Sequence, residues 1–174
     1  MRYFTKELWQ QINSRDPDLI RSADSAWHQN LVSYRTQVEA LEGRVSKKTF
    51  RFFTRESLHD SRLVEWTVGD AIGLETQRAS LFKRRSKPPA ARIRVISYRG
   101  DTVYELSYTG VQLAQFDFPT SQPRFWTPGD PIDDWGYDEL SAVDDLHLQH
   151  EALFASGATM RIVFERFNYH RWRV

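Results

Sequence analysis

His59 and Asp60 stand where a polar run gives way to an alternating one, in the stretch LHDSRLVEW over residues 58–66. An aspartate beside an imidazole can fix its tautomer and let it act as a general base. Adjacent residues of an extended chain point apart, so such a dyad needs further groups supplied by the fold. The structural reading of the pair is a polar start to a strand, where short side chains bond neighbouring backbone groups. It is the preferred reading, because the sequence offers no nucleophile and no substrate pocket to join the pair.

Five histidines are present, and His147 and His150 form an H-x-x-H pair. On a helix that spacing would put both rings on one face as joint metal ligands. The surrounding alternation predicts a strand instead, on which positions three apart face opposite sides. His150, Asp138 and Glu139 are then the best candidates for a metal, but no metal or cofactor is expected. Asp130, Asp133, Asp134, Asp144 and Asp145 add carboxylates whose spacing does not match a calcium-binding loop.

The candidate binding surface is basic: Lys83, Arg84, Arg85, Lys87, Arg92 and Arg94, extended by Arg171 and Arg173. Phe82, Tyr98 and Trp172 lie near them in sequence and would stack bases if exposed. Against nucleic acid stand a net charge of +1 and the lack of any ribonucleoprotein or Gly-x-x-Gly sequence. Phosphate-binding glycine loops and the G-x-S-x-G nucleophile motif are missing too.

These residues must be positioned by elements that the sequence also announces. The 174 residues suffice for one domain, which at this size buries about two thirds of its unfolded surface. The chain has no cysteine, which excludes thiol chemistry and fits a reducing compartment, so a cytoplasmic location is expected. Its charged N-terminus reads as neither signal peptide nor membrane span. Most of the six Trp, seven Tyr and eleven Phe must line a core.

Thr5 is placed to cap a helix over 6–13, and Asp16 with Pro17 to open a second. Leu19, Ala23, Trp27, Leu31, Tyr34, Val38, Leu41 and Val45 recur at helical spacing, with Gly43 interrupting. Ser46 caps a short third helix whose Phe50 and Phe53 are expected to meet the core. From residue 58 the pattern alternates, predicting strands over 61–68, 92–98, 102–108, 111–118, 137–143, 146–154 and 159–167. Turns are expected at Arg99-Gly100-Asp101 and Ser156-Gly157. Segments 83–92 and 119–134 read as loops. The expectation is one α+β domain, helical over 1–57 and β-rich over 58–174. Its helices pack on a curved antiparallel sheet that closes toward a sandwich or barrel.

The segments MRYFTKELW, LHDSRL, YELSYTGV and WGYDELSAVDDLHLQHEALFASGATMRIVFERFNY resemble successive landmarks of a family of uncharacterised bacterial proteins. That family opens with Tyr-Phe-Thr-Lys-Glu and ends on strands reading Tyr-Asp-Glu and His-Glu. The resemblance implies a helical half followed by a β-rich half, and matches His59, Asp60, Tyr137, Asp138, Glu139, His150 and Glu151 without assigning them roles. The His-Asp-Ser strand start and the closing strand pair are also similar to small bacterial immunity proteins, which neutralise contact-delivered toxins.

The chain is therefore read as a protein-binding module, immunity-like by resemblance, rather than an enzyme. The competing reading is an enzyme or metal protein in which the sheet gathers His59, Asp60, Asp138, Glu139 and His150 around a concave pocket. Nucleic-acid binding through 83–94 comes third. No membrane partner is expected, and the apolar face of the long helix is compatible with pairing to a second copy.

Overall fold

A computed structural model describes residues 1–70, 88–118 and 134–174. Three helices come first: α1 (Lys6–Ile12), α2 (Pro17–Glu39) and α3 (Lys47–Arg55). Each begins where a short polar side chain accepts an otherwise orphaned N–H: Thr5 from Leu8, Asp16 from Asp18 and Leu19, and Ser46 from Thr49. The helix α2 ends at Glu39, and Gly43 adopts a φ of +90° in the turn that follows, so Leu41 and Val45 reach the core from that turn. In α3 the inward residues are Thr49 and Phe52, with Phe53 half-buried beside them. Phe50, expected in the core, lies on the other side of the helix.

Eight strands follow: β1 (Arg62–Asp70), β2 (Pro89–Ile96), β3 (Thr102–Thr109), β4 (Leu113–Asp117), β5 (Trp135–Ala142), β6 (Leu148–Phe154), β7 (Thr159–Phe164) and β8 (Arg166–Arg173). They form two antiparallel four-stranded sheets, ordered β1-β2-β3-β8 and β4-β7-β6-β5. The fold is α+β as expected, and of the sandwich and barrel alternatives the β part takes the first: two open antiparallel sheets, not a closed barrel. Their inner faces share one core, in which Ile93, Val95, Leu106 and Tyr108 of the first sheet meet Trp135, Phe154, Ile162 and Phe164 of the second.

A two-stranded ribbon runs from one sheet into the other. Its two chains pair as β3 with β8 in the first sheet and as β4 with β7 in the second, and they cross together where Glu165 N–H donates to the Thr109 carbonyl at 3.1 Å. Opposite the crossing, Gly110 has a φ of +66°, and a Cβ on it would lie 2.5 Å from Glu165 Cδ. Only glycine fits this corner without displacing Glu165. The strand expected over 159–167 is thus broken at Glu165, and the final FNYHRWRV segment supplies most of β8, an edge strand beside β3.

The helices cover two exposed sides of this sandwich. Phe52 of α3 packs on Phe167 and Tyr169 with ring centroids 5.1 and 4.7 Å away, while Phe53 meets the His150 ring edge-on at 4.9 Å. On the outer side of β5, Tyr3, Phe4 and Trp27 form a second apolar cluster with Trp9, Tyr34 and Tyr137. The β5 edge is closed by side chains of α2: Leu140 N–H donates to the Tyr34 hydroxyl at 2.9 Å, and Gln37 donates to the Leu140 carbonyl at 3.1 Å. An edge satisfied this way is closed to further strands at that point. Among the described residues no helix is long and apolar enough to cross a membrane.

Candidate functional site

Between α2, the end of α3 and β5 lies a cleft of about 240 Å³, lined by Phe4, Tyr34, Phe53, Glu56, His59, Tyr137 and Asp138 among others. A bulge in β5 aims its floor. The β5–β6 register shifts between Trp135 and Tyr137, at Gly136, where a Cβ would stand 2.8 Å from the Leu153 carbonyl oxygen. Residues 135 and 138 would face opposite sides of a regular strand, and the bulge lets them meet. The Trp135 indole N–H donates to Asp138 Oδ1 at 3.2 Å.

The other oxygen, Asp138 Oδ2, is 3.1 Å from His150 Nε2, and His150 Nδ1 is 2.7 Å from the Tyr108 hydroxyl. A carboxylate only accepts, so Nε2 carries the proton shared with Asp138, and in that tautomer of the neutral ring Nδ1 takes the Tyr108 O–H. His150 is fully buried, while the Asp138 side chain retains 23% exposure on the cleft. A chain of donors therefore runs from the core to one carboxylate at the floor. Burial first, then the Asp138 charge, pushes the Tyr108 phenol well above its ordinary pKa. The same two causes, in the same order, raise Tyr34. Both phenols are thus kept as O–H groups, suited to donate hydrogen bonds rather than to act as bases.

His59 forms part of the rim, with Asp60 next to it in the chain. Asp60 adopts a left-handed φ of +60°, a conformation aspartate tolerates better than most residues. Its N–H donates to the Trp135 carbonyl at 2.8 Å, and Trp135 N–H donates to the Ser61 carbonyl at 2.7 Å, which locks this turn to the start of β5. His59 Nδ1 lies 3.0 Å from Asp60 Oδ1, and the imidazole meets the Tyr137 ring edge-on at 4.9 Å. Burial, and next the Asp60 charge, raises the Tyr137 pKa. The turn at Asp60 thus anchors the start of the sheet, and His59 also walls the cleft.

Of the proposed metal set, the fold unites His150 and Asp138 and removes Glu139. Glu139 projects from the other face of β5, only 2% exposed, and accepts the backbone N–H groups of Arg2, Tyr3 and Phe4 at 2.7–2.8 Å. The Met1 ammonium pairs with Glu151 at 2.7 Å beside it. Among the described residues no group of three or more His, Asp or Glu side chains is arranged to hold a metal ion.

His147 and His150 face opposite ways. His147 lies 2.8 Å from Asp144 Oδ2, and that contact, with the Leu146 and His147 backbone N–H groups, lowers the Asp144 carboxyl to about 2. Asp130 and Asp133 lie outside the described residues, as do Lys83, Arg84, Arg85 and Lys87. Of the rest of the basic candidate surface, Arg92 and Arg94 stand on the open face of the first sheet, while Arg171 on β8 pairs with Glu56 at 2.9 Å. Arg94 lies 2.9 Å from both Glu65 and Glu105, and Arg92 lies 3.2 Å from Glu65. Their charge is balanced there by two carboxylates, which the sequence reading had not paired with them.

Sequence reasoning missed Trp135, Tyr108 and the cleft-facing side of α3. One signal was legible: His150 fell on the apolar face of its strand, and a buried imidazole demands partners. Comparisons with protein-family models, with curated proteins and with solved structures find no match for this chain.

Proposed function

We propose that this protein is a protein-binding module that takes a cationic side chain of its partner, a lysine or an arginine, into the cleft. The observation that carries the reading is the convergence of one pre-oriented carboxylate, Asp138, with the rings of Phe4, Phe53, His59 and Tyr137 around a single small cleft. Aromatic faces attract ammonium and guanidinium groups, and a carboxylate held by the indole and imidazole N–H groups needs no reorganisation to meet one. The volume of about 240 Å³ falls below the roughly 300–1,000 Å³ of sites for drug-sized molecules, which suits one side chain better than a free metabolite. Arginine anchored in an aromatic pocket is a common centre of protein interfaces. The immunity-like role implied by resemblance is one form of such binding, with the partner met in the cytoplasm as the cysteine-free composition suggests.

The test is an NMR titration with a short capped peptide containing one arginine, beside its citrulline counterpart. The reading expects shifts at His59, Tyr137 and the Trp135 indole with the arginine peptide alone, and binding weakened at least about tenfold in Asp138→Asn, a loss of roughly 1.4 kcal/mol. Equal binding of the citrulline peptide would remove the basis for a cation site. Shifts that avoid the cleft would do the same.

The 3.0 Å contact of the rim residue His59 with Asp60 favours a second reading, acid–base chemistry with His59 as the base. His59→Phe separates the two. It retains an aromatic wall and thus the arginine peptide under the binding reading, and it abolishes any turnover found in a substrate screen under the second.

A further inference from the structure

The helix α3 has a second working side. Lys47, Phe50, Arg51, Thr54 and Arg55 line a groove of about 580 Å³, facing away from the core that Thr49 and Phe52 enter. Spacings of three and four put these residues on one stripe, with Lys47, Arg51 and Arg55 separated by about 6 Å along the helix axis. None of these three cations has an ion-pair partner among the described residues. One carboxylate, Glu42, stands at the groove, and Arg44 nearby donates to the Asp144 carbonyl, which leaves its charge unneutralised.

The charge also runs against local preference. Lys47 and Lys48 occupy the first turn of α3, which holds no acidic residue, so both face the positive end of the helix dipole. Lys48 has a structural use, lying over the Tyr169 ring at 5.1 Å. Lys47 has none that the fold supplies. A local rule broken without structural return is where function is to be sought.

We infer that this groove binds single-stranded nucleic acid, with the phosphodiester backbone along Lys47, Arg51 and Arg55 and a base against Phe50. Planar guanidinium groups take phosphate oxygens in pairs, and cations interleaved with an aromatic ring are the recurrent design for single strands. A run of aspartate or glutamate would satisfy the cations but offers no ring to Phe50. The groove's volume admits a base. The inference is independent of the cleft reading, since the residues lie on opposite sides of α3 and either can fail alone.

The experiment is fluorescence anisotropy of the full chain with a labelled single-stranded oligonucleotide of about 10 residues, between roughly 50 and 200 mM salt. Three phosphate contacts predict a slope of log K against log salt near −2, at about 0.7 per contact for single strands. The triple variant Lys47→Gln, Arg51→Gln, Arg55→Gln is expected to lose affinity at least about tenfold and flatten the slope, with an unchanged melting temperature. Phe50→Leu is expected to weaken binding about tenfold while keeping the slope. No binding by the wild type, or equal binding by the triple variant, would overturn the inference. So would an oligoglutamate of equal length that competes as well as the oligonucleotide, which would assign the stripe to an acidic protein.

Discussion

On β5, Glu139 takes three backbone N–H groups where only 2% of the residue is exposed, whereas on the open face of the first sheet Glu65 and Glu105 meet Arg92 and Arg94 with 20–38% of each side chain in solvent. Both arrangements neutralise carboxylates, but with opposite structural consequences. The buried one holds backbone: the N–H groups of residues 2–4 have Glu139 in place of a strand or helix, so chain path and carboxylate define each other. The exposed one joins strands that the ladder already pairs, so its contacts add to a geometry fixed without them. The network of Tyr108, His150 and Asp138 belongs with Glu139, since the Tyr108 and His150 side chains are fully buried and have no water to fall back on.

The sharpest break in this comparison is Glu139→Ala. It orphans three backbone donors, those of Tyr3 and Phe4 buried and that of Arg2 partly so, the buried ones costing about 1–3 kcal/mol each, and is expected to lower stability by roughly 3–5 kcal/mol in urea denaturation. Amide exchange at residues 2–4 should accelerate as they detach, whereas Glu139→Gln, whose amide oxygen still accepts, should lose less than half as much. A loss under about 1 kcal/mol for the alanine variant would mean that the segment is held by its rings alone. Tyr108→Phe comes next. It leaves His150 Nδ1 buried without a donor and is expected to cost about 1–3 kcal/mol, with a shift of the His150 ring nitrogen signals.

How far the sequence reached follows from the same physics. Caps and turns were legible because they are local: Thr5, Asp16 and Ser46 each satisfy donors two or three residues away. His150 on the apolar face was legible too, because strand alternation places it without reference to any partner. The assignment of strands to the two sheets was not, since alternation reads the same whichever sheet a strand joins. Nor was the break at Glu165, where one residue separates β7 from β8 and both continue an apolar alternation. The bulge at Gly136 was hidden because it depends on register against Leu153, so the meeting of Trp135 with Asp138 was hidden as well. The third helix misled in a different way: three phenylalanines within four positions allow two phases, and packing on β8 selects Phe52 over Phe50. Reading that helix for its aromatics left its basic stripe unnoticed.

The smallest expected effect lies on the open sheet face. A double-mutant cycle of Arg94→Gln and Glu105→Gln should return a coupling of at most about 1 kcal/mol, since both side chains are partly solvated and lose rotamer freedom on pairing. Molar salt should reduce it further, which the buried contacts of Glu139 would resist. Acid gives the corresponding sign. The Thr67 hydroxyl, followed by Arg94 and Arg92, holds the Glu65 carboxyl below its ordinary range. A carboxyl lowered on folding adds stability that is complete above its unfolded pKa of about 4.3 and disappears as pH falls through the folded value. Glu65→Gln should therefore flatten the stability profile slightly below about pH 4 and leave it unchanged near neutrality apart from a constant offset. A coupling well above 1 kcal/mol would imply that this face is less solvated than its exposure indicates, and that Arg92 and Arg94 help to hold the first sheet together.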